Sequence, residues 1–262
     1  MSLEALPLSA LVGAAILFGL LLGSFLNVCI HRLPLGLSVV HPPSACPRCR
    51  GRLAWHDNIP LLSYLWLGGR CRHCSNPISP RYPLVEAANG ALYGGLVLVQ
   101  GPHLSTLLLA AFSSATLALI LIDLEHQLLP NAITLPGTAV GLAASFVSPV
   151  VAPGAALVGA AAGYGIPWAL GRTYRALRGR EGIGMGDFKM LAMVGSFLGW
   201  RGVLFSIGMG SLLGTLVGVP WALAQRKGLK VPLPFGTFLG VAALWDLFGG
   251  RRLLGGYLGM EW

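Results

Sequence analysis

The chain has 262 residues, of which 55% are hydrophobic and only 10% are charged, and its mean hydropathy is +0.71. This number of charged side chains is too small to cover the surface of a water-soluble domain of this length. The composition therefore excludes an ordinary soluble enzyme and indicates a membrane protein. The formal net charge of +9 is explained by basic loops beside anionic lipid, so the lipid bilayer is a predicted partner and nucleic acid is not.

Apolar runs predict about eight transmembrane helices. The first run, from Leu8 to Ile30, is longer than the core of a signal peptide and is interpreted as a retained helix. A chain inside hydrocarbon must satisfy its own backbone hydrogen bonds, and nothing here alternates like a barrel strand, so the predicted fold class is an all-α polytopic membrane protein. The other runs cover residues 83–101, 103–122, 132–151, 153–171, 186–200, which is short, 202–224 and 231–249.

Three parts are predicted along the chain: a first transmembrane helix at 1–30, a polar insertion at 31–82, and a seven-helix core at 83–262. Fifteen of the 18 Lys and Arg residues fall on one side of an eight-span arrangement. The positive-inside rule therefore places the insertion in the cytoplasm and both termini outside. Small residues recur every fourth position in "GAAAG" (159–163) and "GSLLGTLVG" (210–218), which predicts close helix packing there.

The insertion contains two CxxC pairs, "CPRC" and "CRHC", formed by Cys46, Cys49, Cys71 and Cys74. Four thiolates at this spacing suit one tetrahedral Zn²⁺ ion, with no open position for catalysis, so a structural zinc site is predicted. Disulfides or redox-active thiols are the alternative, which a reducing cytosol disfavours. The thiolate charge would be offset by nearby arginines, namely Arg48, Arg50, Arg70 and Arg72. Cys29, the fifth cysteine, is interpreted as a buried apolar thiol.

Two aspartates border apolar runs at the same predicted membrane face. Asp123 closes the third run in "LIDLEHQLLPN", and Asp187 follows Gly184 and Gly186 in "GMGDFK". Ionisable groups at membrane depth are costly and indicate function. Two adjacent carboxylates can share a proton, so that one activates water while the other polarises a peptide carbonyl. A proton or ion pathway and a snorkelling interfacial carboxylate are the alternatives that the residues alone leave open.

The sequence resembles the type IV prepilin peptidases, which are bacterial membrane aspartic peptidases of the GxGD type. The resemblance rests on six stretches in the family's order: "GSFLNVCIHRLP" (23–34), the tetracysteine region (46–74), "ISPRYPLVE" (78–86), "LIDLEHQLLPN" (121–131), "GMGDFKMLAMVGSFLGW" (184–200) and "PFGTFLG" (234–240). Thr237 departs from the family pattern, which favours proline there. Its separation in sequence from both aspartates predicts little effect on them.

The resemblance implies that Asp123 and Asp187 are the catalytic pair. It implies an endopeptidase that removes the leader of type IV prepilins or type II secretion pseudopilins at the cytoplasmic face of the bacterial inner membrane. Family members that retain the four cysteines also methylate the new N-terminus with S-adenosylmethionine, so this second activity is expected here. No nucleotide-binding glycine motif locates the methyl donor.

Two functions from other classes compete with this interpretation. A transporter would use the aspartates as a proton or cation path, but it requires a route through the membrane and both carboxylates are predicted at one face. A non-enzymatic pilus or secretion assembly factor would use the insertion to bind a partner. Such a factor would tolerate conservative loss of either aspartate.

Overall fold

The structure, a computed structural model, describes residues 7–147, 150–179, 184–224 and 233–258. Within these ranges the chain is helical, and extended pairing is limited to two isolated β-bridges. The helices are α1 (Leu8–Arg32), α2 (Leu62–Trp66), α3 (Arg81–Gln100), α4 (Leu104–His126), α5 (Asn131–Ala144), α6 (Pro153–Arg178), α7 (Met185–Ala224), α8 (Phe235–Leu247) and α9 (Gly250–Leu258), with short 3₁₀ turns at Leu33–Leu35 and Trp55–Asn58. The predicted all-α fold class is confirmed.

Each predicted apolar run overlaps a helix in the described residues, although the run at 132–151 is helical only as far as Ala144. The sixth and seventh runs both fall on α7, which bends at Gly199 (φ 70°, ψ 179°). This backbone conformation is open almost only to glycine, so the predicted break between the two runs has a physical cause. The part of the last run before residue 233 lies outside the described residues.

Within the part of the chain that the structure describes, three helical segments are long and apolar enough to cross a membrane: Leu8–Leu35, Leu104–His126 and Met185–Pro220. Phe235–Leu247 is apolar but shorter. These segments support the prediction that the chain is a membrane protein. The count of eight transmembrane helices stays a prediction.

The chain divides into two compact units, Met1–Ser114 and Ala115–Trp262. In the first unit, α1 packs along α3. Two glycines of α1 allow this approach, since a Cβ on Gly23 would lie 2.7 Å from the Cα of Glu86. The side chain of Asn89 donates to the carbonyl of Gly19 at 2.7 Å, which ties the two helices together through a buried hydrogen bond. The predicted division at residues 30 and 82 stays a prediction.

In the second unit, α7 packs against α5, α6 and α8. Gly159 and Gly163 of α6 lie directly on the α7 backbone at Gly195 and Leu191, where no Cβ would fit. The second glycine series also faces a neighbouring segment: Gly210 packs against Leu239, while Gly214 and Gly218 pack against the side chains of Phe238 and Leu233. The predicted role of both small-residue patterns in helix packing is confirmed.

Candidate active site

Asp123 lies in the last turns of α4 and is 5% exposed. Its Oδ2 accepts a hydrogen bond from the backbone N–H of Thr237 at 2.7 Å. The Thr237 hydroxyl lies 3.1 Å from the same oxygen and 3.1 Å from the carbonyl of Ile120, so its one proton serves one acceptor at a time. Thr237 is the third residue of α8, so the carboxylate of Asp123 lies at a helix N-terminus, where the helix dipole favours negative charge.

Asp187 is buried in the first turn of α7. Its Oδ2 accepts a hydrogen bond from the N–H of Gly184 at 3.2 Å, and its own N–H donates to the carbonyl of Gly184 at 3.1 Å. A side chain at the third helical position that returns to the residue before the helix satisfies an otherwise unpaired backbone donor. Asp187 therefore caps the start of α7, and its carboxylate also lies at a helix N-terminus.

The two aspartates share a neighbourhood in the second unit. The carboxyl of Asp187 lies within the range at which Asp123 repels it electrostatically. Leu129 packs against two glycines, Gly186, which precedes Asp187, and Gly236, which precedes Thr237. A Cβ on Gly186 would lie 3.0 Å from the Leu129 side chain, and a Cβ on Gly236 would lie 2.8 Å from it. The structure thus brings together the two carboxylates that the sequence motifs single out.

Gly236 gives Asp123 room at the start of α8. A Cβ at this position would lie 3.1 Å from Oδ2 of Asp123, in addition to its clash with Leu129. Because the carboxylate contacts the first turn of α8 so closely, only a residue without a side chain fits without displacement. Gly236 belongs to the motif "PFGTFLG", yet its role depends on a contact 113 positions away and is invisible in the sequence.

Lys189 adds a second link across the same unit. Its Nζ donates to Oδ1 of Asn131 at 2.8 Å. Lys189 lies two residues after Asp187, and Asn131 is the first residue of α5. This hydrogen bond joins the segments "LLPN" and "GDFK", whose pairing no feature of the sequence indicates.

The four cysteines of the insertion form one cluster in the first unit. Their sulfur atoms all lie within 4.8 Å of one another, and Sγ of Cys46 is 3.9 Å from Sγ of Cys74. A tetrahedral ion with Zn–S distances of about 2.3 Å separates its sulfurs by about 3.8 Å. All four thiols are free of disulfide bonds, so the cluster has the composition and size of a site for one metal ion. Cys29 is buried outside this cluster, as predicted.

The two CxxC pairs fold into equivalent turns. The N–H of Arg50 donates to the carbonyl of Cys46, and the N–H of Ser75 donates to the carbonyl of Cys71, both at 2.9 Å. Arg50 and Ser75 both adopt the left-handed conformation, with φ of 58° and 55°. Each pair therefore presents its two sulfurs from a matching tight turn.

The pKa values of the thiols in the cluster are shifted in opposite directions. Although the N–H of Gly51 lowers the pKa of the Cys49 thiol, burial and the neighbouring thiols raise it to about 11. The backbone N–H of Asn76, together with its side-chain amide 3.4 Å from Sγ, lowers the pKa of the Cys74 thiol to about 6. Arg72 donates to Oδ1 of Asp57 from Nε at 2.9 Å and Nη2 at 2.6 Å, which lowers the pKa of Asp57 below its usual range. Arg72 is thus paired with Asp57, so its predicted contribution to offsetting the thiolates is shared with a carboxylate.

Known proteins match both regions of the chain. Residues 17–100 match the bacterial peptidase A24 N-terminal domain, and residues 110–219 match the type IV leader peptidase family. Proteins named prepilin leader peptidase/N-methyltransferase are similar over most of their length. The one from Aeromonas hydrophila is 38% identical (92% of this chain, 92% of that protein), and the one from Pseudomonas aeruginosa is 38% identical (95% and 94%). The one from Klebsiella pneumoniae is 47% identical (71% and 84%).

The chain belongs to the type IV leader peptidase family. This membership confirms the resemblance inferred from the sequence motifs. No solved structure matches the chain.

One expectation about this type IV leader peptidase is wrong. Thr237 was expected to have little effect on the aspartates, because 114 residues separate it from Asp123. In the structure it contacts Asp123 through both its N–H and its hydroxyl. Proline carries neither donor, so this chain holds Asp123 through contacts that the proline of the family pattern would not make.

Proposed function

We propose that Asp123 and Asp187 are the catalytic pair of a prepilin leader peptidase that cuts at the cytoplasmic face of the bacterial inner membrane. The family match and the names of the relatives confirm the enzyme class predicted from the sequence, a prepilin leader peptidase and N-methyltransferase. The assignment of residues and of the membrane face is our proposal.

One observation supports the catalytic pair above all others. Two buried carboxylates, far apart in the sequence, lie at the N-termini of two helices of one unit, within range of mutual repulsion. Burying two acids side by side lowers the stability of the fold, so a buried pair of acids indicates a functional site. Peptide hydrolysis by a shared-proton pair is such a function.

In the proposed reaction, one aspartate accepts a proton from a water molecule while the other donates its proton to the carbonyl oxygen of the scissile peptide. The water oxygen bonds to the carbonyl carbon and forms a tetrahedral intermediate. This intermediate collapses as the C–N bond breaks, and the leaving amine takes a proton from the pair. The hydrogen bonds from Thr237 and Gly184 hold Oδ2 of each aspartate, which orients the two carboxylates for these transfers.

The tetracysteine cluster is proposed to hold a structural Zn²⁺ ion through Cys46, Cys49, Cys71 and Cys74. Such an ion would fold the insertion, which has little apolar core of its own. For the second activity, the proposed methyl donor is S-adenosylmethionine, which supplies a methyl group bound to a sulfonium. When bound, it would supply the methyl group for the free amine of the cleaved pilin: the N–C bond would form as the C–S bond breaks, with the bonding pair left on sulfur and the amine proton passed to water.

The proposed setting is the bacterial inner membrane, with about eight transmembrane helices and the insertion in the cytoplasm. The substrates are prepilins or pseudopilins, whose basic leader remains in the cytosol while their apolar helix lies in the bilayer. Their scissile bond then lies at the membrane boundary, which is where the ends of α4 and α7 that carry the two aspartates are predicted. The positive-inside distribution of Lys and Arg supports this orientation.

The test is cleavage of a prepilin by purified protein in detergent, with the variants Asp123→Asn and Asp187→Asn. Asp246→Asn is the matched control. Asp246 is another buried acid, located on α8, and its Oδ1 lies 3.1 Å from Nε of Arg251. We expect both dyad variants to fold and leave the substrate intact, with a loss of at least about a thousandfold, while the control cuts the leader. A folded dyad variant that still cuts like wild type would reject the assignment and reopen the transporter and assembly alternatives.

A further inference from the structure

A cavity of about 460 Å³ opens within the first unit, between the insertion and the facing ends of α1 and α3. Its volume falls in the range of about 300–1,000 Å³ that small-molecule sites occupy. Most of its wall is apolar, and a few polar and charged groups interrupt it. This composition is typical of a site for a small organic molecule.

Asn27 of α1 gives the cavity wall an unused acceptor. The side chain is 5% exposed, its Nδ2 donates to the carbonyl of Tyr82 at 3.1 Å, and its Oδ1 has no hydrogen-bond partner within the described part of the chain. A buried acceptor without a partner costs about 1–3 kcal/mol. Asn27 lines the cavity while its Oδ1 is itself covered, so a ligand that donates a hydrogen bond to Oδ1 as the Asn27 side chain turns toward the cavity would remove this cost.

Both signs of charge line the cavity. Glu86 of α3 is buried, and its Oε2 accepts from the N–H of Leu61 at 2.9 Å. Asp57 is held by Arg72, and Arg48 also contributes to the wall. Two carboxylates and a basic rim complement a ligand that carries both positive and negative groups.

Two aromatic side chains, Tyr64 and Tyr82, complete the wall. Aromatic faces suit a planar heterocycle and also attract a cationic centre. S-adenosylmethionine combines these features: an adenine ring, ribose hydroxyl donors, a sulfonium, an ammonium and a carboxylate. A phospholipid headgroup has no heterocycle to match the tyrosines, so it fits this wall less well.

We propose that this cavity binds the S-adenosylmethionine that donates the methyl group, an inference that rests on the proposed methyltransferase function. The carboxylates of Glu86 and Asp57 face the cationic groups of the ligand, the tyrosines contact the adenine, and Asn27 accepts a hydrogen bond. The cavity therefore supplies the donor site that no nucleotide-binding glycine motif in the sequence located.

Equilibrium dialysis of radiolabelled S-adenosylmethionine against the full-length protein in detergent measures binding without turnover. Asn27→Leu and Asn27→Asp form a matched pair, because both remove the donor to Tyr82 and only aspartate keeps an oxygen acceptor. We expect Asn27→Leu to weaken binding about tenfold and Asn27→Asp to weaken it less. Equal effects of the two changes would remove the acceptor from the argument and overturn its part in the proposal.

A second pair tests the volume of the cavity. Val28→Trp places an indole into the cavity wall, whereas Leu17→Trp makes a similar change on α1 at a position that is 64% exposed and outside the cavity. We expect Val28→Trp to abolish binding and Leu17→Trp to leave it at the wild-type level. Zinc content and thermal unfolding of each variant establish that the fold is intact.

The outcomes separate this inference from the proposed function. Suppose that wild type cuts and methylates a prepilin, and that Asn27→Leu and Val28→Trp bind S-adenosylmethionine as well as wild type does. In that case only the location of the donor site is wrong. Native mass spectrometry that finds phospholipid retained at saturating S-adenosylmethionine, with loss of that lipid in Val28→Trp, would also overturn it. If wild type cuts but neither binds the donor nor methylates, the methyltransferase part of the proposed function fails with it.

Discussion

Removing the hydroxyl of Thr237 tests whether this residue positions the proposed catalytic pair. Thr237→Val keeps the backbone N–H, which lies 2.7 Å from Oδ2 of Asp123, and loses the hydroxyl 3.1 Å from the same oxygen. A hydrogen bond to a charged group contributes about 1.5–3 kcal/mol. The hydroxyl proton is shared with the carbonyl of Ile120, so the lower end of this range applies. About 1.5 kcal/mol corresponds to a loss of roughly tenfold in kcat.

The assay is steady-state cleavage of a prepilin, with kcat and KM determined separately. A positioning role predicts a lower kcat at nearly constant KM, and Thr237→Ser should restore most of the rate because it keeps the hydroxyl. Thr215→Val is the matched control, since the Thr215 hydroxyl donates to the carbonyl of Ser211 on an exposed face of α7. Wild-type kcat in Thr237→Val, or equal impairment of the valine and serine variants, would refute the reasoning.

Three further predictions follow from close contacts and from the thiol cluster. Gly236→Ala should lower leader cleavage at least tenfold, because its Cβ meets Leu129 and the carboxylate of Asp123, whereas Gly208→Ala on open surface should cleave normally. Cleavage by Gly236→Ala at the wild-type rate would contradict the crowding. Metal analysis should find about one zinc per chain in wild type and in the control Cys29→Ser. Cys74→Ser should lose the zinc, and trypsin should then digest its insertion faster. A metal-free wild type that resists trypsin would contradict a zinc-dependent fold. Gly163→Leu should lower the thermal midpoint by several degrees or prevent folding, unlike Gly208→Leu, because a side chain there meets the α7 backbone; equal midpoints for the two would contradict the packing.

Composition and local pattern by themselves determined much of this protein. The apolar runs predicted the helices, because a chain in hydrocarbon satisfies its backbone only in helices or closed barrels and these runs do not alternate like barrel strands. Glycine spacing predicted close helix packing at 159–163 and 210–218, since residues four apart lie on one helix face; which helices meet there was decided by the tertiary structure. The CxxC pairs predicted the thiol cluster, because a short turn brings both sulfurs of a pair to one side.

The aspartates could be selected from the sequence because so few acids border the apolar runs. Their surroundings could not, since they depend on which helix ends meet. The first turn of α8 reaches Asp123 from 114 positions away and supplies the N–H of Thr237. No local signal records such a contact, and the sequence separation of Thr237 from the aspartates was misleading for that reason.

The tertiary structure alone also decided the cavity of the first unit. Its wall combines α1, α3 and the insertion, and the unused acceptor of Asn27 becomes apparent only when these segments are packed together. A sequence displays the residues that can donate, accept or ionise. Which of them are buried, paired or left without a partner is determined by long-range packing, because burial and hydrogen bonding depend on neighbours distant in the chain.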